Sequence, residues 1–125
     1  MSPERYLGAA DRLLTEVIAG ARGTWPRACA WLIRLALETA LAGFWESACP
    51  PIAACHSRRA QFLLLPRYCD AQLSHRLAQV WAILSEGGHH HAYELGLTAA
   101  ELRRLRNEAQ AIITGLREAT PEPPG

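Results

Sequence analysis

From Thr24 to about Trp45 or Glu46, apolar side chains cover nearly the whole circumference of one predicted helix. Ala28, Cys29, Trp31, Leu32, Ile33, Leu35, Ala36, Leu37, Ala40, Leu41 and Phe44 leave only Arg27, Arg34 and Glu38 as a polar stripe. A helix that is apolar almost all round must be central, or be covered in part by a partner chain. The remaining segments therefore have to pack around this one, and its surface is also a candidate dimer face. Arg34 and Glu38 stand four residues apart on one side, where opposite charges meet across a helical turn. They also flank Leu35–Leu37, leaving an uncharged run far short of a membrane span.

The flanking segments read as amphipathic helices. Ser2-Pro3-Glu4 combines a capping hydroxyl, a proline at the first helical position and a carboxylate at the positive dipole end. Tyr6, Leu7, Ala10, Leu13, Leu14, Val17 and Ile18 then recur at helical spacing until Gly20 and Gly23. Pro50-Pro51 breaks the pattern and pushes Cys49 toward an extended conformation. Ser57 restarts a short helix over Arg58–Leu65, with Phe62, Leu63 and Leu65 on its apolar side and Pro66 as its stop or kink. Asp70 caps the next helix, which directs Leu73, Leu77, Val80, Trp81 and Leu84 inward through Leu84 or Glu86. Thr98-Ala99-Ala100-Glu101 is a capping box, opening a last helix with Leu102, Leu105, Ala109, Ile112 and Leu116 in one seam. No stretch reads as a strand. The expected fold is all-α, an up-and-down bundle of four long helices and one short one, with residues 1–118 as a single domain and 119–125 as a proline-rich tail.

Half of the 125 residues are apolar and a fifth are charged, the balance of a globular chain. The formal charge is +1, which argues against coating nucleic acid by bulk electrostatics and leaves room for a local basic face. Arg58, Arg59, Arg67 and Arg76 face only Asp70 within residues 57–76, and are the candidate phosphate contacts. Charged residues at 4, 5, 11 and 12 interrupt any secretory signal core, so a cytoplasmic protein with reduced cysteines is expected. Among the cysteines, Cys29 falls in an apolar pattern as a small hydrophobe. Cys49 and Cys55, with His56, are the nucleus that a cysteine-based zinc site would need.

The chemistry concentrates in Ser85–Glu94. His89, His90 and His91 follow the Gly87-Gly88 pair that ends a helix, with Tyr93 close behind. Imidazoles titrate near neutrality and can both take and return a proton, so histidines beside the amides of a helix start at Thr98 suit acid and base work on a phosphodiester. Three alternatives stand beside this reading. The triplet could be a solvated loop. It could pack between the helices, bonded to carbonyls left open at the glycine turn. Or His89 and His91, with Glu94, could hold zinc or nickel, although adjacent histidines tend to point apart. No cofactor is otherwise called for.

The order of helix, long apolar helix with Ala36-Leu37-Glu38, break, helix ending in a histidine-rich turn, and capped last helix resembles the HEPN family (higher eukaryotes and prokaryotes nucleotide-binding domain) over roughly residues 5–117. Members of that family are helical bundles, usually dimeric, and many are RNA-cleaving toxins or defence nucleases. Their motif is Arg, four to six residues, His, and in one branch a further residue and Tyr. His91-Ala92-Tyr93 matches the second half of it, while Glu86 stands five residues before His91, where the branch with four intervening residues has Arg. A carboxylate there would repel a scissile phosphate rather than stabilise it. The resemblance therefore implies His91 as acid or base, Tyr93 as a ligand-orienting phenol, His90 and Glu86 as their neighbours, and Arg76 or Arg103, Arg104 and Arg106 as substitutes for the absent Arg. It implies a homodimer that binds RNA or a nucleotide, with weak or absent metal-independent ribonuclease activity, in a toxin–antitoxin or defence setting with an antitoxin or other protein partner. A non-catalytic interaction module and a histidine-rich metal-binding accessory protein are the competing expectations.

Overall fold

A computed structural model describes residues 2–17, 25–87 and 97–119, with the backbone alone for residues 16, 17, 86 and 87. The expectations that fall on residues 18–24, 88–96 and 120–125 lie outside the described residues. Six α-helices account for most of the rest: α1 (Pro3–Val17), α2 (Trp25–Ala48), α3 (Pro50–Ala53), α4 (Arg58–Leu64), α5 (Ala71–Gly87) and α6 (Ala99–Ala119). No strand occurs among the described residues, as expected for an all-α bundle.

Helix boundaries fall where local chemistry places them. The Ser57 hydroxyl accepts from the Ala60 amide at 3.1 Å, and an Asp70 carboxylate oxygen accepts from the Leu73 amide at 3.2 Å. At Thr98 the capping box closes reciprocally: Thr98 Oγ1 accepts from the Glu101 amide at 3.1 Å and Glu101 Oε1 accepts from the Thr98 amide at 3.3 Å. Pro66 turns the end of α4 into a single 3-10 turn, Leu65–Arg67. Cys49 lies outside the helical region, at φ −160° and ψ 89°, as steric pressure from the following proline requires, although its ψ falls short of a fully extended residue. The two prolines then open α3 rather than merely breaking the chain, because neither needs an amide donor in a first helical turn.

Lateral contacts fix the topology. Arg106 grips Asp11 with two parallel bonds, Nε to Oδ1 at 2.8 Å and Nη2 to Oδ2 at 3.0 Å, and Arg117 pairs with Glu4. Position rises along α1 as it falls along α6, so the two are antiparallel. Trp45 meets Tyr68 and Trp81 meets Arg34, so α5 runs antiparallel to α2. A Cβ at Gly115 would lie 2.9 Å from Leu73 Cδ1, so the start of α5 packs tightly against the end of α6. The four long helices thus run up and down, and α1, α2, α5 and α6 share one core built from Leu7, Leu14, Ile33, Leu37, Leu41, Trp45, Leu77, Leu102, Ile112 and Leu116.

By length and composition α2 is apolar enough to cross a membrane. In the bundle, Cys29, Ile33, Ala36, Leu37, Leu41, Phe44 and Trp45 on that helix are buried against its neighbours, the central position its pattern calls for. One core assignment is corrected. Leu63 is not inward but 70 % exposed, whereas Gln61 is buried. Leu65 follows Gln61 by one turn and shares its face, while Leu63 lies on the opposite side. The Gln61 amide is tolerated inside because it is used fully: Nε2 donates to the carbonyls of Ile52 and Cys55, each at 3.1 Å, and Oε1 accepts from Arg58.

Candidate functional site

The end of α1, the start of α2, the end of α5 and the start of α6 converge at one end of the bundle. The segment carrying His89, His90, His91, Tyr93 and Glu94 leaves α5 at Gly87 and rejoins at Leu97. All five residues lie outside the described residues, as does the side chain of Glu86. The candidate site can therefore be built from the side chains that surround this end.

Between α5 and α6 a groove of about 380 Å³ runs from Arg76 and Glu108 as far as Leu97, where that segment rejoins the bundle. Its floor and walls include Ile83, which is exposed, and Leu97, and its rim carries Arg76, Arg104, Glu101 and Glu108. Arg76 Nε donates to Glu108 Oε1 at 2.6 Å. That bond pulls the Glu108 carboxyl below the usual carboxylate range and raises the Arg76 guanidinium. Glu101 is occupied by the Thr98 cap. Arg104 is exposed and has no carboxylate partner among the described residues, so it is the rim guanidinium available to an anion. Of the substitutes expected for the missing family Arg, Arg76 and Arg104 line this groove, whereas Arg106 is committed to Asp11 on the α1 side.

The four arginines expected as phosphate contacts are not equivalent. Arg76 serves Glu108. Arg58 donates to Glu38 at 3.1 Å and to Gln61 at 2.9 Å, and its guanidinium lies 5.6 Å from the Trp81 ring centre. Arg59 and Arg67 are exposed, with no bonded partner among the described residues. Arg58 also displaces the expected intrahelical pair: Glu38 accepts from Arg58 rather than from Arg34, because α4 brings a guanidinium across while Arg34 turns onto the indoles of Trp31 and Trp81. The stacked arrangement needs three helices together, and spacing along α2 alone does not reveal it.

Cysteine chemistry is muted. Cys29 is fully buried, its Sγ 3.9 Å from the Ala10 carbonyl, and burial first, then the nearby Asp11 charge, push its thiol up to about 11. It behaves as the small hydrophobe the pattern suggests. Cys49, Cys55 and His56 are not gathered into a ligand set, and no group of three His, Cys, Asp or Glu residues able to hold a metal occurs among the described residues.

The surface pairs make acid a stability variable. Glu4, held by Arg117, and Glu108, held by Arg76, both have folded-state values below the ordinary 4.5. A lowered carboxylate contributes stability that is present above its unfolded value and lost as pH falls through the folded one. Both pairs are more than a third exposed, so the effect should be small. Thermal melts from neutral pH down to about pH 3 should show Tm falling, with a shallower fall in a Glu4→Gln, Glu108→Gln double variant. An identical slope in the two proteins would mean that these pairs add nothing.

No family model, curated protein or solved structure matches this chain.

Proposed function

We propose that this protein is a small HEPN-like RNA- or nucleotide-binding protein, acting as a cytoplasmic homodimer in a toxin–antitoxin or defence setting, with weak or absent endoribonuclease activity. The observation that carries the reading is the α5–α6 groove. Its lining reaches Leu97, where the histidine segment rejoins the bundle, and it offers Arg104 to an anion beside the apolar Ile83 and Leu97. The all-α, antiparallel architecture agrees with the resemblance seen in the sequence. In this reading His91 exchanges the proton, Tyr93 orients the ligand and Arg104 meets the charge that grows on the phosphorus oxygens. Glu86 opposes the same charge, which is why cleavage is expected to be slow.

Cleavage of a labelled RNA in the presence of a chelator tests this directly. The wild-type chain should cut slowly or not at all, Glu86→Arg should gain cleavage, and His91→Ala in that background should lose at least about a hundredfold, the usual contribution of a general acid or base. Arg104→Glu should weaken RNA binding in every background. No binding by the wild type and no gain in Glu86→Arg would remove the proposal.

A second reading, a non-catalytic interaction module, is favoured by one specific feature. Large apolar side chains stand out from three helices, Trp31 at 53 %, Leu63 at 70 % and Ile83 at 42 % exposure. Each is an apolar side chain of the kind that anchors a protein contact.

A further inference from the structure

Trp31, Arg34, Trp81 and Arg58 form a ladder of alternating indoles and guanidiniums across α2, α5 and α4. The Arg34 guanidinium lies 5.6 Å from the Trp31 ring centre and 4.8 Å from that of Trp81, and the Arg58 guanidinium lies 5.6 Å from Trp81. Phe62 continues the strip, 5.5 Å from Trp81. The interior of the ladder is ordinary packing. Its outer end is not. Trp31 leaves half of a large ring in solvent, and Arg34 Nε is buried with no acceptor while its two terminal nitrogens are neither buried nor bonded among the described residues. A second orphan, Ser85 Oγ, lies one turn beyond Trp81 on α5. A buried donor left unbonded is costly, and a guanidinium packed against two indoles has its position restricted.

Charge selects the class of ligand. Arg27, exposed, stands four residues before Trp31 and Arg34 three after it, so both cations share the side of α2 that carries the open indole. Neither has a carboxylate partner among the described residues; Glu38, the acid of this strip, is taken by Arg58. An exposed ring between unneutralised cations is the arrangement that holds an unpaired base by stacking and its flanking phosphates by charge. A duplex, whose bases are already stacked, cannot use it.

We propose that Trp31, bracketed by Arg27 and Arg34, is a stacking platform for an unpaired base of single-stranded RNA. This rests on the RNA-binding function above and adds a contact surface on the α2 side of α5, separate from the α5–α6 groove.

Fluorescence anisotropy with a short labelled oligouridylate, at low salt, tests it. Trp31→Ala should weaken binding about tenfold, Trp31→Phe should recover most of the loss, and Arg34→Lys, which keeps the charge but not the planar fork, should weaken it several-fold. Heparin, which carries charge without bases, should bind the wild type and Trp31→Ala equally. Equal affinity of wild type and Trp31→Ala for oligouridylate overturns the platform; if Arg104→Glu still abolishes binding in that case, the proposed function survives without it. Failure of the wild type to bind any single strand overturns both. A Trp31→Ala variant that alters sedimentation of the protein while leaving RNA affinity unchanged assigns the strip to a protein contact and also overturns the inference.

Discussion

Leu41→Asp should leave the chain unfolded at room temperature, whereas Leu35→Asp should leave it folded. Both residues sit on α2 and both look apolar in the sequence, but Leu41 is wholly buried in the shared core while Leu35 is only half-buried. At Leu41 the substitution removes packing worth about 2–5 kcal/mol for a fully buried leucine. It also places a carboxylate inside an apolar core, a burial that costs several kcal/mol more or forces the group to stay protonated. Against a domain stability of roughly 5–15 kcal/mol, the sum is enough to empty the native state. At Leu35 the new carboxylate can reach water, so the loss should stay near or below about 1–2 kcal/mol. Circular dichroism melts separate the two outcomes. Sedimentation of Leu35→Asp then addresses assembly: a shift from dimer to monomer would place the outer seam of α2 in the interface, and an unchanged profile would take that seam out of it. If Leu41→Asp instead melts cooperatively within a few degrees of the wild type, the central placement of α2 is wrong.

The contrast between those two leucines also shows what a linear pattern can and cannot convey. Helix ends were legible because their causes are local: Ser57, Asp70, Thr98 with Glu101, and Pro66 each act within four residues of where they stand. The central role of α2 was legible because a helix with almost no polar face has few other places to go. Which side of α2 meets which neighbour was not, because a helix apolar all round carries no phase. The same limit explains Glu38. Arg34 at four residues' spacing is the expected partner, but Arg58 arrives from a helix twenty residues away and brings a guanidinium already bonded to Gln61. Gln61 itself reads as a solvent residue by type. It is inside because three partners, two of them carbonyls at the α3–α4 connection, satisfy its amide. For the candidate site, the expected chemistry falls in the 85–94 stretch, most of which lies outside the described residues, and the sequence names several arginines as candidates to serve it. Only the packing of α6 against α5 and α1 separates Arg104, which lines the groove without a carboxylate partner among the described residues, from Arg76 and Arg106, which are bound to Glu108 and Asp11.

The second large effect is expected at Trp45, where size and polarity pull in opposite directions. The indole is fully buried and meets Phe44 and Tyr68 edge-on, at 5.2 and 5.0 Å between ring centres and 71° and 76° between planes. Removing it as Trp45→Ala should cost about 3–5 kcal/mol, since a core aromatic leaves a cavity that the helices cannot fully close. Each lost edge contact lies within that figure, at about 0.5–1.5 kcal/mol. Yet the indole Nε1 is buried without an acceptor among the described residues. An unbonded buried donor costs about 1–3 kcal/mol, so the native chain already carries that penalty. Trp45→Phe removes the donor together with part of the ring, keeps an aromatic edge for Phe44 and Tyr68, and should therefore cost less than about 1.5 kcal/mol. Urea denaturation, read as the change in midpoint at constant slope, gives both numbers on one scale. A phenylalanine variant as unstable as the alanine one would mean that the indole hydrogen is bonded after all, and that Trp45 holds the base of α2 through a polar contact rather than through its bulk.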